Sequence, residues 1–141
     1  PNISANVGIN VILPFNCTIL IKNNILNAIR KMEKSPGQCL GILVSQNAKG
    51  TGTCDIKDNF VYFRSGDDFV GIKTSGFGKV YLYNNKVYGN EPAEDNKPMK
   101  TMEGISINGS QYNTLLSNEV KGATVSFGDS YKVDGSSTWK M

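Results

Sequence analysis

The feature that most constrains this chain is its division into short apolar runs separated by asparagine and glycine. The 141 residues include sixteen Asn and fifteen Gly. Both residue types are favoured in tight turns, whereas short β-branched and aromatic runs are typical of strands. With 39% hydrophobic and 19% charged residues, the chain has the composition of a folded domain. We therefore expect one turn-rich domain over residues 1–141, built mainly from β-sheet.

Alternation of apolar and polar residues predicts the strands. They are Ala5–Leu13, Cys17–Lys22, Cys39–Ser45, Asn59–Arg64, Phe69–Lys73, Lys79–Tyr83, Lys86–Tyr88, Gly104–Asn108, Ala123–Phe127 and Tyr131–Val133. Asn84-Asn85 is interpreted as a hairpin turn, and Tyr112–Leu116 as a helical turn. Gly89–Lys100 contains two prolines and no apolar run, which predicts a long exposed loop. The sequence shows no evident internal repeat.

One segment has the spacing of a helix. After Asn23-Asn24, which can cap a helix, apolar residues recur at helical spacing at Ile25, Leu26, Ile29 and Met32. The predicted helix ends at Lys34, because Pro36-Gly37 stops it. The predicted fold class is therefore α+β, mainly antiparallel sheet with one short helix in the N-terminal region.

Three cysteines occur at spacings that match no zinc motif. Cys39 and Cys54 flank an expected two-strand unit, which favours a Cys39–Cys54 disulfide in an oxidising compartment, with Cys17 free and buried. The alternative is three reduced thiols in a cytosolic protein.

The chain contains no histidine. This excludes Ser-His-Asp and Cys-His nucleophile systems, which need an imidazole, and ordinary zinc sites, in which histidine is a usual ligand. The segment Lys73–Lys79 resembles a phosphate loop but lacks its first glycine and its final hydroxyl, which favours a turn between two strands. Asp67-Asp68, near Asp55 and Asp58, lacks the ligand pattern of a calcium loop. We expect no metal and no cofactor.

The charge is mildly basic, with a net charge of +3 and a pI near 8.8. Only Arg30 and Arg64 are arginines, and the lysines are scattered, which argues against a nucleic-acid partner. The longest apolar stretch, Val7–Ile21, is too short and too interrupted to span a bilayer. The chain begins at Pro1 with no methionine and no signal peptide, as expected for a mature secreted chain, a trimmed chain or a chain whose initiator methionine was removed.

Four tyrosines are the candidate binding residues: Tyr62, Tyr81, Tyr83 and Tyr88. Alternation places Tyr81 and Tyr83 on one strand face, and Tyr62 would join them if the two strands pair. Exposed tyrosine rings suit contact with sugars or proteins, whereas packing on a sheet face is the alternative explanation.

Several segments resemble the head domain of minor type IV pilins and pseudopilins. They are Ile25–Arg30, Leu43-Val44-Ser45, the turn ending in Cys54, Phe60–Phe63, Thr124–Phe127 and Trp139-Lys140. In those heads a helix packs on a sheet and is followed by a cysteine-bearing turn and an aromatic strand. The resemblance implies an extracellular filament or secretion-system subunit.

These features predict an extracytoplasmic binding or assembly module without enzymatic activity, such as an adhesin, a pilin-like subunit or a toxin-binding subunit. Its expected location is extracellular or periplasmic. The expected partner is a protein or glycan surface, with self-assembly as a further role and no membrane span. The alternative is a small enzyme or toxin domain that uses carboxylate, Lys and Tyr residues without histidine.

Overall fold

The structure is a computed structural model that describes residues 6–29, 39–47, 51–63, 69–88, 102–121, 124–127, 131–133 and 139–140. All regular elements within these ranges are β-strands. They are β1 (Asn6–Leu13), β2 (Thr18–Lys22), β3 (Ile25–Ile29), β4 (Cys39–Gln46), β5 (Thr51–Lys57), β6 (Phe60–Phe63), β7 (Phe69–Ser75), β8 (Phe77–Tyr83), β9 (Lys86–Tyr88), β10 (Met102–Asn108), β11 (Tyr112–Leu116), β12 (Glu119–Lys121), β13 (Thr124–Phe127), β14 (Tyr131–Val133) and β15 (Trp139–Lys140).

The strands form three sheets. From β1 to β13, each strand pairs within its sheet with the strand that lies three positions earlier or later along the chain. Sheet A has the order β1-β4-β7-β10-β13-β14, sheet B the order β11-β8-β5-β2, and sheet C the order β15-β12-β9-β6-β3. All the pairings among strands β1 to β12 are parallel. The chain therefore winds as a parallel β-helix, in which each coil contributes one strand to each sheet.

Four coils follow from this winding: coil 1 (β1–β3), coil 2 (β4–β6), coil 3 (β7–β9) and coil 4 (β10–β12). β13 adds one more parallel strand to sheet A. Beyond coil 4 the chain reverses direction, because β14 pairs antiparallel with β13 and β15 pairs antiparallel with β12.

The predicted fold class is wrong in both of its parts. The sheets are parallel rather than mainly antiparallel, and the segment predicted as a helix contains β3, with Ile25–Ile29 in strand conformation. Within β3 the side chain of Ile25 is 74% exposed and that of Leu26 packs against the core, so the two alternate as in a strand. Met32 and Pro36-Gly37 lie outside the described residues.

Two turn assignments are also wrong. Asn84-Asn85 does not close a hairpin, because β8 belongs to sheet B and β9 to sheet C. Tyr112–Leu116 is a strand, β11, that pairs with β8. Both errors have one physical cause: a strand of a parallel β-helix pairs with a segment a full coil away, so its sequence neighbours do not reveal its partner. The expected loop Gly89–Lys100 lies outside the described residues.

The prediction that the chain lacks a repeat is wrong as well. A glycine followed by a β-branched residue recurs once per coil in sheet A, at Gly8, Gly41, Gly71 and Gly104. The connections from sheet C to sheet A are of unequal length, since residues 30–38, 64–68 and 89–101 separate the successive coils. This unequal spacing hides the period from inspection of the sequence.

The core is a set of columns in which equivalent side chains of successive coils stack inside the helix. One column is aliphatic throughout, with Ile9, Ile42, Ile72 and Ile105 in register. The buried members of the core are Ile21, Ile42, Val44, Cys54, Ile56, Val61, Ile72, Phe77, Val80, Leu82, Val87, Ile105, Ile107 and Val120. Such stacking buries apolar area at every coil except at the ends of the helix.

Glycine is required where sheet A meets sheet C. A Cβ atom on Gly71 would lie 2.3 Å from Val87 Cγ1 and 2.5 Å from the carbonyl oxygen of Gly104. A Cβ atom on Gly41 would be as crowded, at 2.6 Å from Val61 Cγ1. The missing side chains therefore allow the two sheets to approach closely at each coil.

An asparagine ladder occupies the corner between sheets B and C. The ladder has one asparagine per coil. Asn24 in coil 1 is half-buried, and the asparagines of coils 2, 3 and 4 are buried: Asn59, Asn85 and Asn118. Each residue that precedes a ladder asparagine has positive φ: Asn23, Asp58, Asn84 and Ser117. This conformation turns the chain through the corner in two residues and aims the next side chain inward.

The hydrogen bonds of the ladder have one direction. The backbone N–H and Nδ2 of Asn59 both donate to Asn85 Oδ1, at 3.2 and 3.0 Å. Asn85 donates in the same way to Asn118 Oδ1, at 3.0 and 2.9 Å, and its Nδ2 also donates to the Ile56 carbonyl at 2.8 Å. Each rung therefore satisfies buried polar groups that the corner would leave unpaired.

We expect Asn85→Ala to lower the free energy of unfolding by about 2–5 kcal/mol. The substitution removes the acceptor of the Asn59 backbone N–H and the donor to the Ile56 carbonyl, at about 1–3 kcal/mol for each buried group left unpaired, whereas Nδ2 of Asn59 keeps its bonds to the Ile21 and Lys57 carbonyls. Urea unfolding followed by circular dichroism measures the change. Asn113→Ala, at an exposed position in β11, is the control and should stay within about 0.5 kcal/mol of the parent. Equal stability of the two variants would contradict a structural role for the ladder.

Candidate binding face

The outer surface of sheet B is a regular array of side chains that we call the sheet B face. Register across β2, β5, β8 and β11 aligns its members in three rows that cross the strands. The rows are Thr18, Thr53, Lys79 and Tyr112; Leu20, Asp55, Tyr81 and Thr114; and Lys22, Lys57, Tyr83 and Leu116. Neighbouring members of a row are about 4.8 Å apart, so each row extends about 14 Å along the axis of the β-helix.

Tyr81 and Tyr83 form the aromatic centre of this face. Their ring centroids are 6.1 Å apart and their planes differ by 7°. Both side chains are half-buried, since every second residue of β8 points outward while Val80 and Leu82 enter the core. The structure thus places these two predicted tyrosines side by side on a surface that solvent can reach.

An open cleft of about 230 Å³ lies at the start of the sheet B strands. It is lined by Asn16, Thr18, Gly52, Thr53, Gly78, Lys79, Gln111 and Tyr112. Gly52 has φ +74°, and a Cβ atom there would lie 2.4 Å from the Cys17 carbonyl oxygen, so this position has to remain without a side chain. The lining offers hydroxyl, amide and ammonium groups beside the ring of Tyr112.

Positive charge predominates on the sheet B face. Lys22, Lys57 and Lys79 point outward from three successive coils, and Asp55 is the one carboxylate of the three rows. Asp55 Oδ1 is inaccessible to solvent and has no hydrogen-bond partner among the described residues. The Asp55 side chain lies between those of Leu20 and Tyr81 in the middle row.

The other two predicted tyrosines lie on a different surface. β6 pairs with β9 in sheet C, which places Tyr62 next to Tyr88 rather than next to Tyr81. Phe60 stacks on Tyr62 with centroids 6.4 Å apart, and it meets the edge of Tyr88 at 5.2 Å. The four tyrosines therefore form two separate pairs.

Local contacts already engage the sheet C pair. Lys121 Nζ lies 4.5 Å from the centre of the Tyr88 ring and 3.1 Å from Glu119 Oε1. The hydrogen bond that Lys121 donates to Glu119 raises the pKa of Lys121, and partial burial together with Glu119 raises the pKa of Tyr88. Tyr88 is thus part of an intramolecular cluster, as the packing interpretation expects.

Three residues of the cleft were not predicted from the sequence to share a site: Lys79, Gln111 and Tyr112. Lys79 on β8 and Tyr112 at the start of β11 lie in register, 33 residues apart in the chain, and Gln111 directly precedes β11. The sequence does contain a signal for this alignment. Asn-x-Val occurs at Asn85 and again at Asn118, 33 residues later, which is also the separation of Lys79 and Tyr112.

The segment that resembles a phosphate loop lies on two strands and the corner between them. Gly76, inside the segment Lys73–Lys79, is a corner between β7 and β8, as the turn interpretation expects. Asp67-Asp68 lies outside the described residues. Within the part of the chain that the structure describes, no group of three His, Cys, Asp or Glu side chains could hold a metal ion. The same residues contain no apolar helix of membrane-spanning length.

Cys54 is a free thiol in the interior, so the predicted disulfide with Cys39 is not formed. Its position on β5 points into the core between Ile19 and Val80, away from the surface. Burial, and secondarily the charge of Asp55, raises its pKa from 9.0 to about 12. Cys17 is half-buried and its thiol donates to the Phe15 carbonyl oxygen at 3.3 Å.

Comparisons of this chain with protein-family models, with curated proteins and with solved structures find no match.

Burial and the raised pKa predict that Cys54 does not react in the folded protein, since the thiolate is the nucleophile. In the variant Cys17→Ser/Cys39→Ser, iodoacetamide at pH 8 should label Cys54 only after unfolding. The folded state holds this proton more tightly, so the free energy of unfolding should fall as pH rises from 9 towards 12. Rapid labelling of the native variant would contradict the interior position.

Proposed function

We propose that this protein is a non-enzymatic binding module that holds an extended glycan on the sheet B face. The observation that carries the proposal is the pair of parallel, solvent-facing rings of Tyr81 and Tyr83, set on a rigid sheet. Tyrosine combines an apolar ring with a hydroxyl and loses little side-chain freedom on binding. It therefore suits a ligand with both C–H faces and hydroxyl groups, as sugar rings have.

The shape of the face favours a polymer over a compact ligand. The rows of side chains extend about 14 Å across four strands. The cleft of about 230 Å³ is smaller than the roughly 300–1,000 Å³ of pockets that enclose small ligands. A chain molecule could place one unit in the cleft beside Tyr112 and continue over Tyr81 and Tyr83.

The charge of the face favours a glycan that carries acidic groups. Lys79 borders the cleft, and Lys22 and Lys57 lie at the opposite side of the array. Exposed lysines attract carboxylate or sulfate groups over a distance of about one Debye length, roughly 8–10 Å at moderate salt. Such polymers occur mainly outside the cytoplasm, so the proposal includes an extracytoplasmic location.

The sheet B face lacks the groups that glycoside hydrolysis uses. That reaction needs two carboxyl groups about 5–10 Å apart across the sugar bond. Asp55 is one carboxylate, and the other described members of the three rows are hydroxyl, ammonium, aromatic or aliphatic side chains. The face therefore supports binding better than hydrolysis.

The double variant Tyr81→Ser/Tyr83→Ser should weaken glycan binding about 10- to 100-fold, since each aromatic contact contributes roughly 0.5–1.5 kcal/mol beyond its buried area. Affinity electrophoresis in gels that contain alginate, polygalacturonate, dextran or laminarin measures binding. The melting temperature should change little, because both rings point away from the core.

The matched control is Tyr62→Ser/Tyr88→Ser, which removes two tyrosines from sheet C and should retain binding. Loss of binding only in this control would move the site to sheet C. Unfolding of the Tyr81/Tyr83 variant would show that its rings are structural, and release of new reducing ends by the parent protein would replace binding with catalysis.

Lys79→Gln should weaken binding of an acidic polysaccharide about threefold at low salt, in line with an exposed ion pair of roughly 0.2–1 kcal/mol, and have no effect at high salt. Lys86→Gln, an exposed lysine on sheet C, is the control and should leave binding unchanged. An equal effect of the two substitutions would indicate attraction by net charge rather than by the sheet B face.

A further inference from the structure

The end of the β-helix at coil 1 is an open edge in all three sheets. Among the described strands, β1, β2 and β3 are each the terminal strand of their sheet, with a neighbour on one side. Their outer backbone N–H and C=O groups have no strand partner among the described residues, so another set of strands could join them.

Apolar side chains are concentrated at this end. Seven large hydrophobic residues are exposed among those described, and five of them belong to coil 1 and its corner: Val7, Ile12, Phe15, Leu20 and Ile25. The inward-facing residues of coil 1 are also incompletely covered. Ile9, Val11 and Ile19 are half-buried, whereas their partners in coil 2 are at most 1% exposed.

The asparagine ladder gives this open edge a direction. Asn24 donates its backbone N–H and Nδ2 to Asn59 Oδ1, at 3.1 and 3.0 Å. Its own Oδ1 accepts no hydrogen bond from the described residues, although the equivalent oxygens of Asn59, Asn85 and Asn118 each accept two. This oxygen can accept an N–H donor from a coil on its outer side, in the geometry that the other ladder asparagines show.

A further difference separates Asn24 from the lower rungs. Nδ2 of Asn59 donates across the coils to the Ile21 carbonyl, and Nδ2 of Asn85 donates to the Ile56 carbonyl. Nδ2 of Asn24 donates to the Lys22 carbonyl of its own coil, as Nδ2 of Asn59 does to the Lys57 carbonyl, but it makes no cross-coil bond to a carbonyl within the described residues. Asn24 is therefore the first of the described ladder residues, with no described coil on its outer side.

We propose that the coil 1 edge is an interface for a further coil of parallel β-structure that carries an asparagine at its B–C corner. Parallel strands would continue the ladders of β1, β2 and β3, the corner asparagine would donate to Asn24 Oδ1, and inward-facing aliphatic residues would cover Ile9, Val11 and Ile19. The far end of a second copy does not offer this arrangement, because sheets A and C end there on the antiparallel strands β14 and β15.

The register permits a direct test by fusion. Asn6, Cys39, Phe69 and Met102 occupy equivalent positions in sheet A. Replacing residues 1–5 by a second copy of residues 69–101 therefore gives Asn6 the place that Met102 has after coil 3. Hydrogen exchange of the amides in residues 6–29 should become at least tenfold slower than in the parent chain, because the edge strands gain partners.

The matched control is the same fusion with Asn85→Ala in the added copy, which should give markedly less protection of residues 6–29. Unchanged exchange in the first fusion would overturn the interface, and equal protection in both fusions would overturn the requirement for asparagine. Sedimentation of the parent chain distinguishes the other occupant. Concentration-dependent dimers with residues 6–29 protected would assign the edge to a second copy and overturn the proposal.

Discussion

The hydrogen bonds between successive coils are the interaction on which the rest of the structure depends. Each strand of coils 1–4 pairs with a segment 26 to 35 residues away, so none of them has its partner among its sequence neighbours. A chain that closes such distant pairs must also turn three corners per coil without leaving buried polar groups unpaired. At the B–C corner the asparagine ladder meets this requirement. Its side chains supply the hydrogen bonds that the strands cannot provide where the backbone bends.

The same winding creates the candidate binding face. Because coils stack in register, one residue position in sheet B becomes a row across four strands, and single residues such as Lys79 and Tyr112 become neighbours. The short B–C corner keeps sheets B and C on separate sides, which divides the four tyrosines into two pairs. Tyr81 and Tyr83 remain available to a ligand, whereas Tyr88 is engaged by Phe60 and Lys121.

Local structure could be predicted from the sequence, and its long-range arrangement could not. Strands such as Cys39–Gln46 and Phe77–Tyr83 were expected at nearly their observed bounds, because β-branched alternation is a local property. Pairing was missed because Asn84-Asn85 has the composition of a hairpin turn, although here Asn84 bends the chain and Asn85 is buried as a rung. The apolar residues of Ile25–Ile29 fit helical spacing equally well, and only the partner strand β6 distinguishes the two conformations. The filament role implied by the resemblance to pilin heads remains a prediction, as does secretion.

The parallel winding of the chain is best tested by nuclear Overhauser contacts between backbone protons. Parallel winding predicts contacts between in-register residues of neighbouring coils, such as Ile42 with Ile72, Cys54 with Val80, and Val61 with Val87. It predicts no cross-strand contact between Tyr83 and Lys86, since β8 and β9 lie in different sheets. A hairpin pattern of contacts between β8 and β9, without the contacts between coils, would contradict the winding and the sheet B face that depends on it.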